Sequence, residues 1–146
     1  MTHLNPAYIQ ELVDIVNRSP FPDHMRMQLS SIALDQAVIK LNVDRCHLQP
    51  YGIVHGGVLA TLIDTATFWS AYMRLPEDAG LVNIDLNLNY LRPVETGVLT
   101  AEGRAIRSGN VISYTESRVL DAAGELIAHG TSTLMTLPGK GLKMKA

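Results

Sequence analysis

Between positions 82 and 90 the chain alternates without a break. Val82, Ile84, Leu86, Leu88 and Tyr90 fall on one side, and Asn83, Asp85, Asn87 and Asn89 on the other. A period of two over this length predicts a strand. The stretches 25–33, 37–43, 98–107, 111–120 and 125–135 read the same way, with turns at Asp35-Gln36, Ser108-Gly109-Asn110 and 121–124. Two segments follow helical spacing instead. Tyr8, Ile9, Leu12, Val13 and Val16 predict an amphipathic helix over about 6–18, with Asn5 as its cap. Prolines at 20 and 22 stop it. The second helix, 56–73, is apolar nearly all round and ends before Pro76. The order is a short helix, two strands, a long helix and four strands in a meander. It predicts an α+β fold with an antiparallel sheet curled around one central helix. The tail, about 138–146, reads as a loose end.

Composition narrows the picture. The 146 residues, 47% of them hydrophobic and 18% charged, suit one domain over 1–146 with its own core. A net charge of −2 gives no basic field for nucleic acid. The single Cys46 excludes an internal disulfide framework and points to a reducing, cytoplasmic setting. No secretory start is visible. The stretch 56–73 carries one charge, Asp64, but also two glycines, three threonines and a serine. It reads as the buried centre of a soluble fold, with no membrane partner.

The candidate chemistry gathers on that helix. His55-Gly56-Gly57 opens it, where backbone N–H groups lack internal partners and partial positive charge collects. Such a corner suits an anion or the oxygen of a carbonyl gaining charge. Two glycines can equally serve a tight turn. Asp64, nine residues after His55, is an acid inside an apolar helix and needs partners or a task. It lies roughly 13 Å further along the axis. One carbonyl carbon does not reach both within a chain, but two antiparallel helices from two copies would bring them together. The alternative is a structural acid held by Thr61, Thr65, Thr67 or a loop amide. Gln49, in the loop before His55, has an amide suited to a carbonyl or water. Asn83 reads as solvent-facing polarity. Asp44, Cys46 and His47 lack the spacing of a metal site, so no metal is expected. His3, His24 and His129 are isolated.

The run from Gln49 through His55-Gly56-Gly57 to Asp64 resembles the hotdog-fold acyl-CoA thioesterases, specifically the phenylacetate-degradation (PaaI-like) branch. The resemblance continues through Val82-Asn83 to the Asn87-x-x-Tyr90-x-x-Pro93 strand end, and through 124–131. It implies a hotdog fold, homodimers joined edge to edge and usually paired into tetramers, and a site at the dimer interface. By position, Gly56 would offer its N–H to the thioester oxygen, with Gly57 beside it. Gln49 would sit by the carbonyl or attacking water, and His55 would shape the loop. Asp64 would be general base or nucleophile. Asn83 stands where relatives carry a Ser or Thr that positions water. The implied activity is hydrolysis of an aryl or medium-chain acyl-CoA, with coenzyme A as part of the substrate and no cofactor. Phe68 and Trp69 would line the acyl pocket or pack the core. Arg92, Arg104, Arg107, Ser108 and Gly109 are candidates for the CoA phosphates. A hydratase on this fold would carry His five residues after the acid, where this chain has Trp69. A non-catalytic acyl-CoA binder is the other alternative.

Overall fold

The computed structural model describes residues 5–144; His3 and the end of the tail, 145–146, lie outside them. Helix α1 (Pro6–Arg18) starts on Asn5, whose side chain accepts from Ala7 N–H at 2.9 Å, and it buries Leu12 and Val16. The proline pair that ends α1 also begins a helix that the sequence reading takes for a plain stop. Pro20 takes the first position of α2 (Pro20–Met25), where a missing N–H costs no helix bond. The first strand therefore starts at Met27 rather than Met25.

Six strands follow: β1 (Met27–Ala33), β2 (Gln36–Asn42), β3 (Gly80–Tyr90), β4 (Val98–Ser108), β5 (Ile112–Leu120) and β6 (Leu126–Leu137). They form one antiparallel sheet in the order β1-β2-β4-β5-β6-β3. The long helix α3 (Gly56–Tyr72) lies across β4, β5 and β2. That is the one-helix, one-sheet layout expected from the pattern. Its core holds Leu62, Ile63 and Ala66 of the helix against Leu99, Val119 and Leu134 of the sheet, all fully buried. No helix of the described residues is long and apolar enough to cross a membrane.

The helix can come this close because the sheet offers a row of small residues beneath it. Gly103, Ser117 and Gly130 are direct cross-strand neighbours on β4, β5 and β6. A Cβ on Gly103 would stand 2.1 Å from the Ala66 carbonyl oxygen, and one on Gly130 would stand 2.9 Å from Ile63 Cγ2. Ser117, between them, is fully buried with its hydroxyl unpartnered among the described residues.

Strand β3 departs from its own alternation. Asn83 pairs with Leu134 and Asp85 with Thr133, so Ile84 is an extra residue, a bulge. The bulge exchanges the two faces. Leu81 is buried and Asn83 half-buried before it; Leu86 and Leu88 are the half-buried ones after it. Val82 and Ile84 are exposed. The expectation that all five apolar residues share one face, with Asn83 turned to solvent, fails at this point for that reason. β3 is also an end strand of the sheet, which leaves its outer edge open.

His47 is a buried brace: its Nδ1 accepts from Asp44 N–H at 2.9 Å, and its Nε2–H donates to the Met25 carbonyl at 2.8 Å. The described part of the tail is docked, with Gly141 N–H on the Asp78 carbonyl at 2.9 Å and Met144 packed against the core.

Candidate active site

The start of α3 is built by its cap. His55 has extended backbone angles, and its Nδ1 accepts from Gly57 N–H at 2.7 Å. The ring proton of the neutral imidazole therefore sits on Nε2. Glycine at 57 leaves the ring room to sit there, since a Cβ would stand 2.9 Å from His55 Nδ1 and push it away. Val58 N–H bonds the His55 carbonyl at 2.9 Å. Of the first three helical amides, Gly56 N–H alone has no acceptor among the described residues. Gly57, expected to hold substrate, has its amide engaged by its own chain.

Gly56 opens on a cleft of about 360 Å³ lined by Gln49, Ile53, Leu59, Tyr90 and Arg92 among others. Tyr90, at the end of β3, covers Gly56: its hydroxyl donates to the Gly56 carbonyl at 3.2 Å, and a Cβ on Gly56 would touch its ring at 3.0 Å. Sequence reading places Tyr90 only on a strand face and in the motif, and misses this contact. Gln49 is half-buried, with Oε1 accepting from Tyr51 N–H, which leaves its NH2 for the cleft. Arg92 lies at the cleft and pairs with Glu125 at 3.2 Å.

Asp64 is half-buried in the middle of α3. None of the threonines that could have held it does so. Thr61, Thr65 and Thr67 donate to helix carbonyls at 2.7–2.9 Å. The carboxylate accepts instead from Asn83 Nδ2 at 2.9 Å, across from β3. Burial pushes the Asp64 carboxyl above its ordinary range, and no charged group of the described residues offsets it. From Gly56 to Asp64 is eight residues of helix, about 12 Å, so a single chain brings Asn83 to Asp64 and Gln49 to Gly56 but leaves the two pairs apart.

The remaining candidates lie elsewhere. Phe68 and Trp69 are half-buried and form an aromatic cluster with Tyr72, with centroids at 4.9–6.4 Å. Ser108 Oγ reaches Asp35 at 3.4 Å, and Asp35 pairs with Arg74 just past the far end of α3. Gly109 N–H closes its own turn onto Ile112. Within one chain, Ser108 and Gly109 are thus at the opposite end of the helix from Gly56. Exposed Arg107 precedes the same turn, and Arg104 is paired with Glu116 at 2.5 Å. Among the described residues, no group of three or more His, Cys, Asp or Glu is placed to hold a metal.

Comparison with known proteins identifies the family and the fold. The thioesterase superfamily model matches residues 51–128, which contain Gly56, Asp64, Asn83 and Tyr90. Human acyl-coenzyme A thioesterase 13 is 30% identical over 112 residues, 74% of this chain and 78% of the relative. The 1,4-dihydroxy-2-naphthoyl-CoA hydrolase of Listeria monocytogenes is 27% identical over 108 residues, 74% of this chain and 88% of the relative. The crystal structure of a Haemophilus influenzae thioesterase superposes with a TM-score of 0.82 at 26% identity, covering 89% of this chain and 90% of that one. The chain belongs to the thioesterase superfamily: it is a hotdog-fold enzyme of the thioester-hydrolase kind.

Proposed function

We propose that the chain hydrolyses acyl-CoA thioesters bearing an aryl or medium-chain acyl group, at sites shared between two copies. The observation that carries this is Asp64, a half-buried carboxylate without a cationic partner on the same helix as the unpartnered Gly56 amide, and about 12 Å from it. Packing two α3 helices antiparallel places Asp64 of one copy at the Gly56 cleft of the other. The open edge of β3, with Val82 and Ile84 exposed on it, suits an edge-to-edge join.

In this reading Gly56 N–H and the helix dipole receive the developing oxyanion, and losing one such donor costs about 2.7–4 kcal/mol. The Gln49 amide borders the same space, and His55 holds the turn that presents Gly56. Asp64 takes a proton from water as its hydroxyl adds to the carbonyl carbon, or attacks that carbon itself to form a mixed anhydride. On either route the tetrahedral adduct collapses with cleavage of the C–S bond and coenzyme A leaves as thiolate; on the second route that cleavage yields the anhydride, which water then hydrolyses to the free acid and the Asp64 carboxylate. Two relatives named for CoA-ester hydrolysis support the substrate class, and the naphthoyl substrate of one of them supports an aryl group. Tetramers, the phenylacetate-degradation branch and a cytoplasmic setting belong to the same proposal. Trp69 stands where a hydratase would need His, and nothing in the site favours that chemistry.

A thiol-release assay over aryl, short, medium and long acyl-CoAs tests the reading. Aryl or medium-chain esters should turn over fastest; flat, near-zero rates would contradict it. The pH dependence has a definite sign. Asp64 works ionised, so kcat falls as pH drops through its pKa, and burial sets that acidic limb above the usual carboxylate range.

A further inference from the structure

The contact between Asp64 and Asn83 continues into the sheet. Asn83 Nδ2 also donates to Ser132 Oγ at 3.1 Å. Ser132, on β6, is fully buried, and its hydroxyl donates to the Asp85 carbonyl at 2.7 Å, just after the β3 bulge. Its own carbonyl is held by Thr115 Oγ1 at 3.2 Å. A serine hydroxyl has one proton. With that proton on the Asp85 carbonyl, Ser132 Oγ presents only lone pairs to Asn83, and therefore selects the NH2 end of the amide.

The choice matters for Asp64. With NH2 toward it, Asn83 favours the ionised carboxylate. Rotated by half a turn, the amide would present its carbonyl oxygen, which favours the protonated acid. We propose that Ser132 is a positioning residue: through Asn83 it keeps Asp64 Oδ1 an acceptor and leaves Oδ2 to face the reaction. This rests on the reading of Asp64 as the reacting carboxylate. The groups that face Asp64 from the packed strands are Asn83 of β3 and, behind it, Ser132 of β6. No charged side chain of the described residues acts on its titration. The one acid of β3, Asp85, is engaged by Thr133 N–H at 2.9 Å.

The test is a double-mutant cycle read in two ways. Asp64 is titrated by carbon NMR of its carboxyl in the wild type, Ser132→Ala, Asn83→Ala and the double variant, and kcat and KM are measured for each. Ser132→Ala should raise the Asp64 pKa and lower kcat about tenfold with KM unchanged. Made in the Asn83→Ala background, the same change should do neither. Ser132→Thr, which keeps the hydroxyl, should behave as wild type. If Ser132→Ala fails to fold, Ser132→Cys, of similar size but a poor acceptor, gives the same reading. An unmoved pKa in Ser132→Ala, or an equal shift in both backgrounds, overturns the proposal. The titration needs no substrate. A protein that cleaves no thioester would therefore sink the functional reading while leaving the role of Ser132 decided by the Asp64 titration alone.

Discussion

Asp64→Asn lowers kcat by about 10²–10⁴-fold, the range typical of a lost general base, with KM little changed and the fold intact. The size follows from the chemistry: an amide neither accepts a proton from water nor attacks a thioester. The intact fold follows from the surroundings. Asp64 is desolvated without a charge partner, so its ionised form is disfavoured in the folded state. A carboxyl with a raised folded pKa costs stability above that pKa and regains it as pH falls through it. Replacing it with a neutral amide removes that cost, and the new side chain still offers an oxygen to Asn83 Nδ2. Thermal unfolding at neutral pH should show a midpoint equal to or above wild type. Near-normal turnover in Asp64→Asn would remove the acid from the chemistry. Lost turnover with a lowered midpoint would recast it as structural.

Gly103→Ala should be the most damaging single substitution to the fold, at about 3 kcal/mol or more, a midpoint about 6–12 °C lower. The added carbon would stand 2.1 Å from the Ala66 carbonyl oxygen and 2.5 Å from its carbon. Those are backbone atoms of α3, so no side chain can swing aside, and the helix must lift off the sheet. Ala66 is two residues beyond Asp64, so whatever protein remains folded should also lose turnover through a displaced carboxylate. Gly124→Ala is the control. Its φ of +82° disfavours alanine, but nothing lies within 4 Å of the new carbon, so about 1–2 kcal/mol is expected. Equal midpoints for the two variants would contradict the close helix–sheet contact.

Much of this architecture is legible in the order of residues. Helical spacing in Tyr8 to Val16, the apolar run after Gly57 and the period of two from Val82 locate elements that the structure contains. What escapes the pattern does so for identifiable reasons. A bulge adds one residue to a strand whose apolar positions still alternate, so the pattern looks unbroken while the faces exchange at Ile84. Leu81, apolar on the side otherwise occupied by Asn83, is the one sign of it. Helix α2 is hidden because Pro20 both ends one helix and opens another. Ser132 and Ser117 sit on the inner face of the sheet, where the pattern expects apolar residues, and no spacing distinguishes the serine that holds Asn83 from the one that leaves room for the helix. The pairing of His55 with Gly57 is a matter of ring geometry that the triplet alone does not contain. The separation of Asp64 from Gly56, by contrast, follows from helix rise alone.

That separation is the centre of the account, and subunit mixing tests it most directly. Asp64→Asn removes the carboxylate, and Gly56→Pro removes the amide N–H at a first helical position whose backbone accepts proline, the added ring carbons pushing the Tyr90 side chain aside. Each variant alone should be inactive. Dissociated together and reassociated at equal amounts, they should regain about a quarter of wild-type turnover, because half the dimers are mixed and each of those holds one complete site. Mixed dimers that form and stay inactive would place both groups of a working site in one chain, and would contradict the shared site.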